Sequence, residues 1–209
     1  MNDEDSLDIK TILVGMSGTG KTNLINALSN RPFNTDNIST LTSSFIEKYV
    51  EIRQKKYRVE LWDTAGQERY KSLTKLFIKD SKIVIFVYDI TTKSSFEEID
   101  YWVKTVNENV TEDNCVYGLI ANKKDLFLEE QVDEEAGMKK AKEIGALFKL
   151  VSAKTEASLI NEFLIELIEE YLGKVDGTIR RDDYKGQTID FTSLEYSTYH
   201  IKNRKKKCC

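Results

Sequence analysis

The chain has 209 residues, enough for one domain of ordinary size with short tails, and 40% of them are apolar. The net charge is −4, yet residues 202–209 hold five basic residues and no acid, so the rest of the chain is clearly acidic. This distribution argues against a general nucleic-acid binder and for a basic tail with its own negatively charged partner.

The three cysteines form no pattern typical of a disulfide framework or a zinc site, and the single His200 excludes His-rich metal chemistry. Cys115 sits in an apolar run and is predicted to be a buried core residue. No apolar run reaches about 18 residues, so no transmembrane helix is expected. The N-terminus is polar and acidic, so we also expect no signal peptide.

Hydrophobic periodicity predicts strands that alternate with helices, and therefore an α/β fold with a mostly parallel sheet and helices on both faces. Residues 83–88 form an unbroken apolar run typical of a central parallel strand. An antiparallel hairpin is predicted over 44–53 and 56–62. The remaining predicted strands are 9–14, 115–121 and 147–151; the predicted helices are 21–29, 68–80, one starting at Ser94, 133–145 and 156–172.

These elements divide the chain into three parts. Residues 1–8 form a short acidic arm, residues 9–172 one domain, and residues 173–209 a polar, aperiodic tail that we interpret as a flexible tether.

Residues 15–22 read Gly-Met-Ser-Gly-Thr-Gly-Lys-Thr and match the phosphate-binding pattern G-x-x-x-x-G-K-[ST]. A predicted strand precedes this segment and a predicted helix follows it, so the N–H groups of residues 17–22 should face one anion. Lys21 offers a charge for the β- and γ-phosphates, and the Thr22 hydroxyl can ligate Mg²⁺. The segment predicts a nucleoside triphosphate site on a P-loop NTPase fold.

Asn122-Lys123-Lys124-Asp125 follows one predicted strand, and Ser152-Ala153-Lys154 follows the next. A carboxylate at Asp125 can accept two hydrogen bonds from guanine, whereas adenine would leave it unpaired at a cost of about 1–3 kcal/mol or more. This motif predicts selection of guanine. A P-loop ATPase or kinase is the less favoured alternative, and ATP that competes well against GTP would support it.

Asp63-Thr64-Ala65-Gly66-Gln67 leaves the second strand of the hairpin. Asp63 can hold a water on Mg²⁺, which usually keeps several waters. The Gly66 N–H can bond the γ-phosphate because the missing side chain permits close approach. Gln67 is neutral, so its predicted role is to orient the attacking water.

Together these motifs resemble a small GTPase of the Ras superfamily and, within it, the Rab branch. The resemblance covers about residues 9–172 and the chain's end. It implies a six-stranded sheet with five helices, bound GTP or GDP with Mg²⁺, and slow hydrolysis stimulated by a GTPase-activating protein. It is carried by G-M-S-G-T-G-K-T at 15–22, W-D-T-A-G-Q-E-R-Y at 62–70, Y-D-I-T at 88–91, N-K-K-D at 122–125, S-A-K at 152–154 and the terminal Cys208-Cys209.

The resemblance also assigns roles that spacing alone does not give. Thr40 would ligate Mg²⁺ when GTP is bound, and Phe33 would stack on the guanine. The Ala153 N–H would face the guanine oxygen, and Lys123 would pack along the base. The implied nucleotide-binding set is Ser17, Gly18, Thr19, Gly20, Lys21, Thr22, Asn23, Phe33, Thr40, Gly66, Asn122, Lys123, Asp125, Ser152, Ala153 and Lys154, with Thr22, Thr40 and Asp63 at the metal and Gln67 as the catalytic residue.

The chain departs from the family pattern on the face expected to bind effectors. Thr42 replaces a glycine beside the γ-phosphate, and Asn37 replaces a usual tyrosine. Residues 77–81 also differ from the usual sequence. Thr42 motivates an alternative function, a nucleotide-bound scaffold with little hydrolysis.

The end Lys-Lys-Lys-Cys-Cys resembles the doubly geranylgeranylated Rab terminus. One acyl chain anchors only marginally, at ~0.8 kcal/mol per buried CH₂, so two lipids and a basic patch would act together. The alternative is a basic end with two unmodified thiols at Cys208 and Cys209. The resemblance further implies an exchange factor, a GTPase-activating protein, effectors, a GDP dissociation inhibitor and an escort protein. It also implies a monomeric domain that regulates vesicular trafficking, cycling between cytosol and the cytoplasmic face of intracellular membranes.

Overall fold

A computed structural model of the chain describes residues 8–35, 44–64 and 76–177. The strands are β1 (Asp8–Val14), β2 (Ser44–Ile52), β3 (Lys55–Asp63), β4 (Ile83–Asp89), β5 (Val116–Asn122) and β6 (Ala146–Leu150). The helices are α1 (Lys21–Leu28), α2 (Lys93–Glu97), α3 (Ile99–Asn109), a 3-10 helix (Lys124–Glu129), α4 (Glu134–Ile144) and α5 (Ala157–Val175).

The six strands form one sheet in the order β2-β3-β1-β4-β5-β6. Only β2 and β3 pair antiparallel, and every other neighbouring pair is parallel. The predicted fold class is confirmed: a six-stranded, mostly parallel sheet with one antiparallel hairpin and helices on both faces, as in P-loop NTPases.

The sheet separates two hydrophobic cores. The α1 and α5 side chains contribute to one core, and those of α3 and α4 contribute to the other. Because successive strand residues point to opposite faces, a strand buried on both sides must be apolar throughout. Strand β4 shows this alternation: Ile83, Ile85 and Val87 belong to the first core, and Val84, Phe86 and Tyr88 to the second.

Two predicted helices differ from the structure. The helix predicted from Ser94 is divided into α2 and α3 at Glu98. The last helix continues to Val175 rather than ending at 172, since Tyr171 and Leu172 are still buried against the core and Lys174 pairs with Glu170 at 3.5 Å. A helix is also predicted over 68–80. The structure describes only residues 76–80 of this range, and residues 76–78 are helical.

The remaining predictions concern Cys115, the two ends of the chain and membrane-spanning helices. Cys115 is buried, as predicted. Asp8, assigned to the acidic arm, begins β1. Most of that arm and the tail from residue 178 lie outside the described residues. Within 8–35, 44–64 and 76–177, no helix has the length and apolar character needed to cross a bilayer.

Candidate functional site

The predicted site residues follow strand ends at one edge of the sheet. Residues 15–20 follow β1, Asp63 ends β3, Asn122 ends β5 and Ser152 comes two residues after β6. The carboxyl ends of parallel strands meet at the same edge, where ligands of open α/β sheets bind. Hydrogen bonds between these segments join them into one site.

Two glycines of the phosphate-binding segment have no room for a side chain. A Cβ on Gly15 would lie 2.2 Å from the Val87 carbonyl oxygen on β4. Gly20 precedes α1 with φ at +94°, and its Cβ would lie 2.4 Å from Nδ2 of Asn122. The backbone therefore packs directly on neighbouring segments, and the N-terminus of α1 opens at this edge.

Lys21 places its ammonium inside the loop that precedes it. Its side chain is only 5% exposed, and Nζ donates to the carbonyl oxygens of Gly15 at 2.8 Å and Met16 at 2.9 Å. Burial lowers the pKa of Lys21 to about 8, although Asp63 and Glu98 act against the shift. A bound anion beside this ammonium would offset its loss of hydration.

Thr22 and Asp63 form the metal side of the site. The Thr22 hydroxyl donates to Oδ2 of Asp63 at 2.8 Å, and Asp63 is buried. A hydroxyl and a carboxylate are hard oxygen ligands of the kind that Mg²⁺ prefers, and Mg²⁺ needs few of them beside phosphate oxygens and waters. The residues present fit a magnesium ion.

Asn122 joins three segments from a position that is 1% exposed. Its Nδ2 donates to the Thr19 carbonyl oxygen at 2.8 Å, and its Oδ1 accepts from the Ala153 N–H at 3.0 Å. The second bond differs from the expectation that this N–H faces guanine. The Ala153 N–H instead donates to the side-chain amide of Asn122, because β5 and the turn after β6 lie side by side.

The Asp125 carboxylate is held by Ser152, whose hydroxyl donates to Oδ1 at 2.6 Å. The Ser152 hydroxyl also accepts from the Lys154 N–H at 3.2 Å, so the two predicted base-side motifs are directly connected. Glu156 supports this connection: it accepts from the Ser152 N–H and pairs with Lys124, both at 2.9 Å. Sequence reasoning missed Glu156, although an acid at the start of a helix is a recognisable signal.

Asp89 is a second residue that the sequence analysis assigned no role. It ends β4, it is buried, and its Oδ2 lies 2.6 Å from Nζ of Lys123. Its Oδ1 accepts from the N–H of Thr91 at 2.9 Å. Lys123 itself has a left-handed backbone, with φ at +68°. Asp89 therefore fixes the direction of the side chain expected to pack along the base.

Asn23 and Phe33 lie on the remaining side. The Asn23 side chain pairs with the backbone of Asn34, accepting from its N–H at 2.8 Å and donating to its carbonyl oxygen at 2.9 Å. The next residue back along the chain, Phe33, is exposed. Asn23 thus anchors the segment that carries the predicted stacking residue.

The remaining predicted residues divide into two groups. Ser17 and Gly18 lie in the described turn before α1. Thr40, Gly66, Gln67, Cys208 and Cys209 lie outside the described residues.

Comparison with known proteins agrees with this geometry. The sequence pattern of the Ras family matches residues 10–172. The chain is 35% identical over 181 residues to the Ras-related protein Rab-13 of Canis lupus familiaris, covering 87% of this chain and 88% of the relative. It is 34% identical over 182 residues to Rab-12 of Homo sapiens, covering 87% and 74%. It is 36% identical over 166 residues to Rab-10 of Caenorhabditis elegans, covering 79% and 82%. The chain therefore belongs to the Ras family as a Rab-type small GTPase, which binds GTP and GDP with Mg²⁺ and hydrolyses GTP.

Proposed function

We propose that this chain is a membrane-anchored switch of vesicular trafficking that recruits effectors in its GTP form. The observation that carries the proposal is the joining of phosphate-side and base-side segments through Asn122 at one sheet edge. A guanine nucleotide placed there would contact both segments at once. Binding or release of the nucleotide would then change the contacts of every loop that meets at this edge.

In this proposal Lys21 pairs with the phosphates, and Thr22 and Asp63 hold the metal side. Thr40, outside the described residues, is assigned to the metal by resemblance to the family. Mg²⁺ would supply neutralisation of charge on the phosphate oxygens. The N–H groups before and within the first turn of α1 bind phosphate oxygens, since such N–H groups lack partners inside the helix.

The base side selects guanine through Asp125. Ser152 donates to one carboxylate oxygen and so fixes the plane in which the carboxylate meets the base. Lys123 and Phe33 enclose the base between them, and Asp89 positions Lys123. An adenine in this place would leave Asp125 without matching donors, so ATP should compete poorly.

Gln67 is the proposed catalytic residue, and single-turnover GTP hydrolysis tests it. We expect Gln67→Leu to slow hydrolysis by about tenfold or more, because a positioning residue for the attacking water is lost. GDP affinity should stay unchanged, and excess ATP should not displace GTP. Gln131→Leu is the matched control, since Gln131 is exposed and its side chain accepts from the Lys93 N–H outside the site. Equal hydrolysis by Gln67→Leu and wild type would remove Gln67 from the mechanism.

The alternative, a nucleotide-bound scaffold with little hydrolysis, rests on Thr42. A threonine where relatives of this type carry glycine adds a side chain beside the proposed γ-phosphate position. Thr42→Gly should then raise the hydrolysis rate of a very slow wild type. If the wild type hydrolyses GTP at a readily measured rate that Thr42→Gly does not increase, the scaffold alternative is excluded.

Membrane anchoring is proposed to depend on Cys208 and Cys209. In cells, Cys208→Ser/Cys209→Ser should move the protein from the membrane fraction to the cytosol, whereas Cys115→Ala should not. Retention of the double variant on membranes would refute lipid anchoring. An exchange factor, a GTPase-activating protein, effectors, a GDP dissociation inhibitor and an escort protein complete the proposed cycle.

A further inference from the structure

Three consecutive large apolar residues face solvent in the 3-10 helix after β5. The exposed fractions are 36% for Leu126, 64% for Phe127 and 87% for Leu128. None of the three belongs to either hydrophobic core. Single exposed apolar residues are ordinary, but a contiguous run at a surface usually marks an interaction site.

The segment that carries this run is fixed at both ends. Before it, the Lys124 N–H donates to the Val151 carbonyl oxygen at 3.1 Å, and Asp125 is bound by Ser152. After it, the N–H groups of Gln131 and Val132 both donate to the Ile90 carbonyl oxygen, at 2.8 and 3.1 Å. The three apolar side chains are therefore held at the surface by a turn that is anchored at both ends.

The segment that carries the run is acidic throughout, and Lys124, just before it, is paired with Glu156. No lysine or arginine occurs from residue 125 to residue 138. A second copy of this chain or an anionic bilayer would bring like charges together, which disfavours both as occupants of the surface. The exposed acids that follow the run are Glu129, Glu130, Asp133, Glu134 and Glu135.

We propose that residues 126–128 and these flanking acids form a docking surface, here called the 126–128 patch, for a protein partner with a cationic amphipathic helix. Phe127 and Leu128 would enter the apolar face of that helix, as aromatic and aliphatic anchors do in other interfaces. The acids would pair with its Lys or Arg residues and steer its approach. This surface is distinct from the nucleotide contacts proposed above and does not depend on them.

The test uses a fluorescently labelled synthetic helix of Leu and Lys, with Leu along one face, titrated with the full chain loaded with GDP and Mg²⁺. Anisotropy should report binding that Phe127→Ser/Leu128→Ser weakens by about tenfold or more, because two apolar anchors are lost. Val175→Ser removes exposed apolar surface at the far end of α5 and should leave the affinity within about twofold of the wild type. A peptide with Glu in place of Lys should not bind.

The charge contribution needs a separate comparison. Glu129→Lys/Glu130→Lys should weaken binding and reduce its salt dependence. Glu162→Lys/Glu169→Lys makes the same change in net charge at two exposed positions of α5. Equal weakening by the two pairs would mean that the peptide responds only to net charge, and the proposal would be wrong.

Other outcomes would also overturn the proposal. A wild-type dimer in sedimentation that Phe127→Ser/Leu128→Ser dissolves would make a second copy the occupant. Peptide binding that appears only after Lys205, Lys206 and Lys207 are changed to Gln would make the chain's own tail the occupant. A lower melting temperature of Phe127→Ser/Leu128→Ser would show that these side chains support the fold instead.

Discussion

Asn122→Ala should destabilise the protein by about 3 kcal/mol before any nucleotide is bound. The substitution leaves two buried backbone groups without their partners, the Thr19 carbonyl oxygen at 2.8 Å and the Ala153 N–H at 3.0 Å. A buried group that loses its hydrogen bond costs about 1–3 kcal/mol, so two of them give about 2–6 kcal/mol. We take the lower half of that range because water can enter the space left at an open sheet edge.

Urea denaturation of the nucleotide-free protein measures this change directly, since the free energy of unfolding falls linearly with urea. Asn107→Ala is the matched control: Asn107 is exposed, and its side chain accepts from the Tyr117 hydroxyl at 3.0 Å. It should cost less than about 1 kcal/mol. If Asn122→Ala is no more destabilising than this control, Asn122 does not hold the three segments together and the reasoning fails.

Three further predictions concern single side chains. In protein free of nucleotide and metal, the lowered pKa of Lys21, about 8 against 10.5, means that the unfolded chain binds more protons between these values. The free energy of unfolding should rise by about 3 kcal/mol as pH increases across that window, and this gain should be lost as pH falls through 8. In urea titrations, Lys21→Met should remove this dependence on pH. An equal pH dependence in the variant and the wild type would contradict the burial argument. Asp89→Asn should speed release of fluorescent GDP by about tenfold because the ion pair with Lys123 is lost, and an unchanged rate would leave Asp89 without a positioning role. Tyr88→Phe should change stability by less than about 1 kcal/mol in thermal or urea unfolding, since the buried Tyr88 hydroxyl has no partner among the described residues; a larger loss would reveal a hydrogen bond.

The sheet could be predicted because its physical requirements appear in the local sequence. A strand buried on both faces, such as β4, must be apolar at every position, and a hairpin needs a short polar turn between two apolar runs. The phosphate-binding glycines were likewise recognisable from their spacing. The structure adds the reason: Gly15 and Gly20 contact β4 and Asn122 without space for a Cβ.

What the sequence could not give are contacts between segments far apart in the chain. Asp89 and Lys123 are separated by a full strand-helix unit, and nothing in the local sequence joins them. The same holds for Lys124 and Glu156, which pair at 2.9 Å across β6 and the intervening helix. The exposure of residues 126–128 could not be predicted either. Periodicity alone cannot distinguish an apolar run that is buried from one that is exposed.

The buried thiol of Cys115 makes the protein able to report its own local opening. Cys115 is buried directly before β5, a strand that lies between β4 and β6, and the other two cysteines are the last two residues. After Cys208 and Cys209 are changed to serine, a thiol reagent can react only when the start of β5 separates from its neighbours. The rate of labelling then gives the free energy of that opening, and its change on addition of GDP shows how far nucleotide binding stabilises the start of β5.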